Sequence, residues 1–240
     1  MKIEKLVAHI PARAGSKRLK SKNLRLLCGK PMIAYAIECA QACPEIEEIY
    51  VNTDCPVIMD LARDYGVKVY ERTPTLAGDT ASGDDFTIDI IDRLQLDTLM
   101  MISPVCPLVT PADVAAAIAA YKANDHADTL ITCEETSMQV ALEGRYVNID
   151  PNSKLKPSQE NPKVQICNWA VTIWNAEVFR KNYAAFQGGY CGTDRILQPI
   201  DPLRAVKVSY EEDFRLVEAL LIAREQGSEK STAAYWGESK

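Results

Sequence analysis

The sequence predicts an α/β protein with a mostly parallel sheet and helices on both of its faces. Short runs rich in β-branched residues alternate with longer segments of helical periodicity, and strands separated by helices form covered parallel sheets. A length of 240 residues suits one such domain with a substantial core. The composition, 47% hydrophobic and 25% charged, is typical of globular proteins and excludes disordered and collagen-like chains.

The first half of the chain predicts a regular alternation of strand and helix, which begins with a strand at Leu6–Ile10. A helix at Pro31–Cys43 follows, with proline in its first turn. The next elements are the strand Glu48–Thr53, the helix Pro56–Tyr65, the strand Val67–Tyr70, the helix Ser82–Leu94, the strand Leu99–Ile102, the helix Pro111–Ala123 and the strand Thr129–Cys133. Ser82 and Asp85 have the spacing of a capping box, which favours a helix start at Ser82.

The pattern changes at Glu134–Pro162, which is polar and shows only brief apolar alternation. The run VALEGRYVNI inside it predicts a hairpin that turns at Glu143–Gly144, so we interpret the whole segment as an excursion from the main sheet. The remaining predicted elements are the strand Ile166–Trp174, a last strand at Ala205–Val208 and the helix Glu211–Glu225. We therefore predict one domain over residues 1–226 and a polar C-terminal tail over residues 227–240.

Charge and apolar patterning exclude several classes of partner. The 27 Lys and Arg residues against 33 Asp and Glu give a net charge of −6, which disfavours general nucleic-acid binding. No uncharged apolar run approaches the ~20 residues of a membrane helix, and the first residues lack the hydrophobic region of a signal peptide. We expect a cytoplasmic protein with neither a membrane nor a nucleic acid as partner.

The cysteines and histidines do not have the spacing of a zinc site. None of the eight cysteines forms a CxxC pair, and the only histidines are His9 and His126. We interpret the cysteines as small structural residues without disulfides, as is usual for a cytoplasmic protein. His9 lies in the middle of the first predicted strand, and we interpret it as a packed core residue.

The strongest charge feature is a basic loop that follows the first strand. No acidic residue occurs from Lys5 to Ile37, and seven cations lie between Pro11 and Lys30: Arg13, Lys17, Arg18, Lys20, Lys22, Arg25 and Lys30. Open α/β sheets bind ligands at this edge, and cations offset the charge of a polyphosphate. The loop matches neither a Walker A motif nor GxGxxG. A solvated basic surface is the alternative; we favour a phosphate site, without a named nucleotide.

The residues of this loop also carry a family resemblance. IPARAGSKRLKSKN, followed by GKPMIAYAIECA, resembles the N-terminal signature of the CMP-sugar synthetases, the acylneuraminate cytidylyltransferase family. The resemblance continues through VNTD at Val51–Asp54 and ERTPTLAGDTAS at Glu71–Ser82, weakens at SPVCPLV, and returns as NWAVTIW and EEDF. It implies a Rossmann-like nucleotidyltransferase fold and the transfer of CMP from CTP to a sialic-acid-like sugar acid, with release of pyrophosphate and with Mg²⁺ as cofactor. It also implies a homodimer, for which Glu134–Pro162 is the candidate dimerisation segment.

The resemblance further implies roles for individual residues. Arg13 and Lys22 are the implied catalytic residues, in contact with the triphosphate. The implied nucleotide site comprises Arg13, Ser16, Lys17, Lys22, Asn23, Arg72, Asp79, Thr80 and Ser82. The implied acceptor site comprises Ser103, Gln159, Lys163, Asn168 and Trp169. Trp169 either fills the acceptor pocket or belongs to the core, and we favour the pocket.

The chain departs from the family pattern at the acceptor and metal positions. Val109 stands where the family has the arginine of QPTSPLR, and Lys207 and Ser209 align with the paired metal aspartates of DIDTxxD. Three alternatives are open: Lys207 supplies a fixed cation in place of the metal, acidic residues such as Glu211, Glu212 or Asp79 ligate Mg²⁺ from new positions, or the acceptor half is no longer used. The metal ligands stay unknown, with Glu211 and Asp213 as candidates, although an acidic run such as Glu211–Asp213 is usually a favourable first turn of a helix.

Three functions remain open at this point. The first is a cytidylyltransferase, supported by the basic loop and the DTAS turn. The second is a non-catalytic or re-specialised nucleotide-binding homologue that has lost the usual metal and sugar-acid ligands. The third is a nucleotidyltransferase with a different acceptor or base. We favour an enzyme, because cations held close together repel one another unless they bind an anion.

Overall fold

A computed structural model of the protein describes residues 3 and 5–225, so the predicted tail at 227–240 lies outside the described residues. The strands are β1 (Val7–Pro11), β2 (Leu26–Leu27), β3 (Lys30–Pro31), β4 (Glu48–Thr53), β5 (Lys68–Glu71), β6 (Thr98–Ile102), β7 (Thr129–Thr136), β8 (Ala141–Leu142), β9 (Arg145–Tyr146), β10 (Val164–Asn175) and β11 (Arg195–Pro199). The helices are α1 (Met32–Gln41), α2 (Pro56–Asp64), α3 (Pro74–Ala77), α4 (Gly83–Arg93), α5 (Pro111–Lys122), α6 (Ala176–Phe186) and α7 (Glu211–Glu225). Within the described ranges, none of these helices has the length and apolar character needed to cross a membrane.

Seven strands form one sheet in the order β11-β7-β10-β6-β1-β4-β5. Strand β1 runs parallel to β4 and β6, β4 parallel to β5, and β7 parallel to β11. Only β10 within this sheet is antiparallel to its neighbours, β6 and β7. The predicted mostly parallel sheet is therefore confirmed. Because β1, β4 and β6 end at the same edge, the loops that follow them converge there.

Helices cover both faces of the sheet, as predicted. On one face α1, α2 and α5 pack against side chains such as Ile10 and Met100. On the other face α4 and α6 pack against the intervening residues, such as Val7 and Leu99. Successive side chains of a strand point to opposite faces, so the near-continuous apolar runs of β1 and β6 supply both cores. Helix α7 packs through Phe214 in a third cluster that includes Met32.

Two local predictions from turn and cap residues are confirmed. The Ser82 hydroxyl accepts a hydrogen bond from the Asp85 amide (3.2 Å), and an Asp85 carboxylate oxygen accepts one from the Ser82 amide (2.7 Å), which forms the capping box of α4. The hairpin β8–β9 turns at Glu143 and Gly144, whose φ values are 49° and 79°. A two-residue turn with two positive φ angles matches the twist of the strands that it connects.

The second half of the chain requires corrections. Ala205–Val208 is not a strand, and the last strand is β11 at Arg195–Pro199, a short mixed run without clear apolar alternation. Helix α6 was absent from the prediction. Strand β7 extends to Thr136 and β10 begins at Val164, so the excursion leaves the sheet over residues 137–163 rather than at Glu134–Pro162.

His9 is a core residue, as interpreted from the sequence. Its side chain is fully buried, and its ring lies 6.4 Å from the ring of Phe86 and 6.3 Å from that of Trp174, between centroids. Neither ring nitrogen has a hydrogen-bond partner among the described residues. Burial, with a smaller contribution from Arg72, lowers the pKa of His9 to about 3.

The buried histidine predicts that acid destabilises the protein. The pKa of His9 is about 3 in the folded state against 6.5 unfolded, so the unfolded state binds more protons between these values. His9 therefore lowers the free energy of unfolding by about 1.4 kcal/mol per pH unit as the pH falls through this window. Urea unfolding at pH 7, 6 and 5 should show a shallower pH dependence for His9→Leu than for the wild type. An equal pH dependence of the free energy of unfolding in the two proteins would contradict the interpretation that His9 is buried in its neutral form.

Candidate functional site

The basic loop after β1 lines a cavity at the carboxyl edge of the sheet. This cavity has a volume of about 490 Å³ and is lined by Pro11, Arg13, Gly15, Ser16, Lys17, Arg18, Leu19, Lys22, Asn23, Asp79 and Val105. Six of the predicted nucleotide residues are therefore brought together: Arg13, Ser16, Lys17, Lys22, Asn23 and Asp79. Four cations of the lining face a single carboxylate, which makes the cavity suitable for a polyphosphate.

Residues at the end of β4 hold the loop in place. The Ala14 amide donates to an Asp54 carboxylate oxygen (2.9 Å), and the Ala12 amide donates to the Asn52 carbonyl (2.9 Å). Asn52 and Asp54 belong to the VNTD run of the family resemblance and are absent from the site residues predicted from sequence. Their position at the carboxyl end of β4, a strand that pairs with β1, is the signal that identifies them.

Asp79 connects two of the loop cations across the mouth of the cavity. Its carboxylate accepts hydrogen bonds from Lys17 Nζ (2.6 Å) and Arg13 Nη1 (3.3 Å), and Arg13 also donates to the Gly78 carbonyl (3.2 Å). These hydrogen bonds, with that from Lys17 the strongest, lower the pKa of Asp79. Because the Asp79 side chain is 57% exposed, solvent screens these ion pairs and a bound phosphate can replace the carboxylate as their partner.

Lys22 lies deeper in the cavity than Lys17. Its ammonium donates to the Val208 carbonyl at 2.9 Å. Burial lowers the pKa of Lys22, and the nearby charges of Arg18 and Lys207 lower it further. The adjacent Asn23 is buried, and its side-chain oxygen has no partner within the described part of the chain.

The other predicted nucleotide residues lie outside the cavity lining. The buried Arg72 guanidinium donates to the Asn52 side chain (2.7 Å) and carbonyl (3.1 Å) and lies 4.2 Å from the centre of the Phe86 ring. Burial lowers the pKa of Arg72 to about 10, which leaves it charged at neutral pH. The Ser82 hydroxyl donates to Asp85 (2.8 Å) as the cap of α4, and Thr80 is exposed between α3 and α4.

The predicted acceptor residues divide into two groups. Ser103, nearly buried at the end of β6, donates its amide to the Ala170 carbonyl (2.9 Å), next to Asn168 and Trp169. The other two residues belong to the excursion side: Gln159 is exposed in the short 3-10 helix Ser158–Glu160, and Lys163 pairs with Glu135 (2.7 Å). Among the hydrogen bonds and ion pairs of Gln159 and Lys163 in the described part of the chain, none joins either residue to Ser103.

A bulge in β10 orients Asn168 and Trp169. The pairing of β10 with β7 shifts between Cys167 and Thr172, and Trp169 has a φ of 58°, an uncommon conformation for a bulky side chain. The Trp169 ring packs on Tyr190 with 5.1 Å between centroids. The Asn168 side-chain oxygen accepts from Thr132 Oγ1 (2.7 Å), whereas its amide nitrogen is buried without a partner among the described residues.

The described residues do not form a complete Mg²⁺ site made of protein side chains alone. The described residues contain no group of three His, Cys, Asp or Glu side chains placed to hold a metal. Both carboxylates of Glu211 and Asp213, the candidates from sequence, have other partners. Glu211 accepts from both terminal nitrogens of Arg25, which lowers its pKa to about 2. Asp213 accepts from the amides of Ser209 and Tyr210, each at 2.8 Å, so both carboxylates stabilise the start of α7 rather than a metal.

Comparisons with known proteins agree with this geometry. A family model described as cytidylyltransferase matches residues 7–183. The CMP-N,N'-diacetyllegionaminic acid synthase of Legionella pneumophila is 40% identical over 124 residues, which are 49% of this chain and 53% of that protein. The post-translational flagellin modification protein B of Campylobacter coli is 28% identical over 232 residues, 91% of this chain and 96% of that one. The chain thus matches about half the length of the first relative and nearly all of the second.

A comparison with solved structures supports the same fold. A solved structure of CMP:2-keto-3-deoxy-manno-octonic acid synthetase complexed with CTP superposes with a TM-score of 0.69 at 18% identity. The match covers 92% of this chain and 100% of that chain. The similarity confirms the predicted nucleotidyltransferase fold.

Proposed function

The chain belongs to the cytidylyltransferase family, and from that premise we propose that it transfers CMP from CTP to a sugar acid and releases pyrophosphate. The observation that carries the proposal is the cavity at the end of β1, in which Arg13, Lys17, Arg18 and Lys22 face a single carboxylate. A bound triphosphate supplies the negative charge that offsets the positive charge of these four side chains. CTP and a small sugar acid are the proposed substrates, and a cytoplasmic location is part of the same proposal.

The proposed reaction is a displacement at the α-phosphorus of CTP, which the cations around the cavity assist. A hydroxyl oxygen of the sugar acid attacks the α-phosphorus, the bond to the bridging oxygen of the β-phosphate breaks, and pyrophosphate leaves with that electron pair. The hydroxyl proton passes to solvent. Arg13 and Lys22 stabilise the charge that grows on the phosphate oxygens during this step. We assign Arg72, Thr80 and Ser82, which do not line the cavity, to the nucleoside half of CTP.

The acceptor binds, in this proposal, near the bulge of β10. Trp169 and its partner Tyr190 offer an aromatic wall, and the unpartnered Asn168 amide nitrogen offers a donor. A sugar acid presents both an apolar ring face and oxygen acceptors to such a surface. Two relatives, a CMP-N,N'-diacetyllegionaminic acid synthase and an N-acylneuraminate cytidylyltransferase, support an acidic sugar as the acceptor.

A pyrophosphate-release assay tests the proposed function. CTP, ATP, GTP and UTP are each incubated with a panel of sugar acids, with and without the protein. We expect release that requires both CTP and one of the acids, and loss of that release in Lys22→Ala. Binding of CTP without release for any acid would instead support a non-catalytic nucleotide-binding homologue.

We propose that the excursion mediates homodimerisation. Residues 137–163 expose several large apolar side chains, among them Met138 (64%), Leu142 (70%) and Leu155 (68%). Two buried asparagines keep the segment folded: Asn148 bonds to Val140, Met138 and Pro162, and Asn161 bonds to Ser137. A folded segment with exposed apolar side chains is typical of a protein interface.

Replacing the apolar side chains of the excursion should separate the subunits. We expect a dimer for the wild type and a monomer for Leu142→Glu/Leu155→Glu at micromolar concentration, measured by light scattering. The matched control is Leu203→Glu/Leu216→Glu, which alters two exposed leucines outside the excursion (57% and 49% exposed) and should remain dimeric. A monomeric wild type, or a dimeric Leu142→Glu/Leu155→Glu variant, would contradict the proposal.

A further inference from the structure

The backbone at Lys207 is held beside the phosphate cavity by hydrogen bonds of the next residue, Val208. The carbonyl of Val208 accepts the hydrogen bond from Lys22 Nζ (2.9 Å), and the Val208 amide donates to the carbonyl of Val105 (2.8 Å). Lys22 and Val105 both line the cavity. Although the segment forms no strand, these two hydrogen bonds hold it against the cavity wall, and Lys207 itself is exposed to solvent.

Arg18 and Lys22 line the cavity, and Lys207 lies on the chain segment that is held beside it. After burial, the charges of Arg18 and Lys207 are the largest causes of the lowered pKa of Lys22, so both charges act on Lys22. The Arg18 guanidinium lies 5.5 Å from the centre of the Tyr210 ring, which directs it toward the same segment. Like charges held near one another repel, and an anion bound between them offsets this repulsion.

The carboxylates nearest to this group have other partners. Asp79 pairs with Lys17 and Arg13, Glu211 pairs with Arg25, and Asp213 accepts from two backbone amides of its own helix start. The donor set at this edge is thus cationic where a divalent metal requires oxygen ligands. The described residues fit a bound polyphosphate and do not form a complete metal site made of protein side chains alone.

Resting on the proposed function, we propose that Lys207 joins Arg18 and Lys22 to bind the β- and γ-phosphates of CTP. The three fixed cations supply the charge compensation that a protein-held Mg²⁺ would otherwise provide, and they stabilise pyrophosphate as it leaves. Affinity for the phosphate chain is then a property of the protein and does not require a divalent ion. Lys207 is therefore a phosphate-binding residue in this proposal.

Calorimetric titration with inorganic pyrophosphate, in EDTA and in Mg²⁺, tests the role of Lys207. We expect Lys207→Ala to weaken binding in EDTA by about 10-fold or more, as for the loss of a charge-assisted contact. The control Lys181→Ala removes an exposed lysine from α6, on the opposite face of the sheet from α1, and should bind like the wild type. The wild type should bind pyrophosphate with similar affinity in both buffers, within about threefold. Unchanged affinity in Lys207→Ala, or wild-type binding that requires Mg²⁺, would overturn the proposal.

A reciprocal variant provides a second test. Lys207→Asp/Ser209→Asp places two carboxylates where the wild type has a cation and a hydroxyl. In this variant, Mg²⁺ should raise the affinity for CTP by about 10-fold or more. Mg²⁺-independent binding in this variant would also overturn the proposal. These titrations do not require turnover. A protein that binds pyrophosphate in EDTA through Lys207 but transfers no CMP would refute the proposed reaction and leave the role of Lys207 intact.

Discussion

Lys22→Ala is expected to lower kcat/KM for CMP transfer by about 100-fold or more, because removal of one preorganised charge at a reacting centre has an effect of this size. Lys22 is held at 2.9 Å from the Val208 carbonyl, within the cationic side of the cavity. Steady-state pyrophosphate release measures the effect, and an unchanged thermal unfolding midpoint would show that the variant is folded.

Lys17→Ala is the matched comparison for Lys22→Ala. Lys17 also lines the cavity, but its side chain is 72% exposed and pairs with Asp79. We expect its loss to lower kcat/KM by less than about 10-fold, because water screens an exposed charge. Equal effects of the two variants, or activity of Lys22→Ala within threefold of the wild type, would contradict the assignment of Lys22.

Gly192→Ala is expected to destabilise the fold by about 3 kcal/mol, since it combines overpacking with a left-handed backbone. Gly192 has a φ of +63°, and a Cβ atom there would lie 2.0 Å from Thr129 Oγ1 and 2.4 Å from an Asp128 carboxylate oxygen. Asp128 accepts hydrogen bonds from the amides of Thr193 and Asp194, which lead into β11. The substitution therefore disturbs the start of an edge strand.

Gly66→Ala separates the two causes of this loss. Gly66 has a φ of +70° but has no atom within 4 Å of the added Cβ, so only the backbone term of about 1–2 kcal/mol remains. Urea unfolding of both variants gives the two free energies. If Gly192→Ala lowers the free energy of unfolding no more than Gly66→Ala does, Gly192 is not packed closely against Thr129 and Asp128.

Local signals predicted most of the parallel half of the fold. The Ser82–Asp85 cap and the Glu143–Gly144 turn are set by contacts within three or four residues of the chain, and a single sequence displays such contacts. The strands β1 and β6 are apolar on both faces because both faces are buried. These features need no knowledge of distant partners.

The elements that were missed depend on distant contacts. Strand β11 is defined by its pairing with β7 and by the bonds of Asp128 to the loop before it, neither of which leaves a periodic pattern in Arg195–Pro199. Ala205–Val208 has the composition of a strand, but Val208 donates to the loop residue Val105 instead of pairing in a sheet.

The site shows the same division. The seven cations of the basic loop lie close together in sequence, and four of them, Arg13, Lys17, Arg18 and Lys22, line one cavity. The engagement of Glu211 by Arg25, 186 residues away along the chain, was not visible in the sequence, where an acidic helix start is equally compatible with a metal ligand. The ion pair of Lys163 with Glu135 also depends on the path of the excursion.

Phosphorus NMR of a mixture of the protein, CTP and a sugar acid that supports pyrophosphate release tests the central claim most directly. The account predicts that the three CTP resonances are replaced by one pyrophosphate resonance and one phosphodiester resonance in equal molar amounts, in an acid-dependent manner. Mass spectrometry of the same sample should show the acid joined to CMP. Conversion of CTP to CDP and inorganic phosphate, or a CTP spectrum unchanged with every acid of the panel, would contradict the assignment of this chain as a CMP-transferring enzyme.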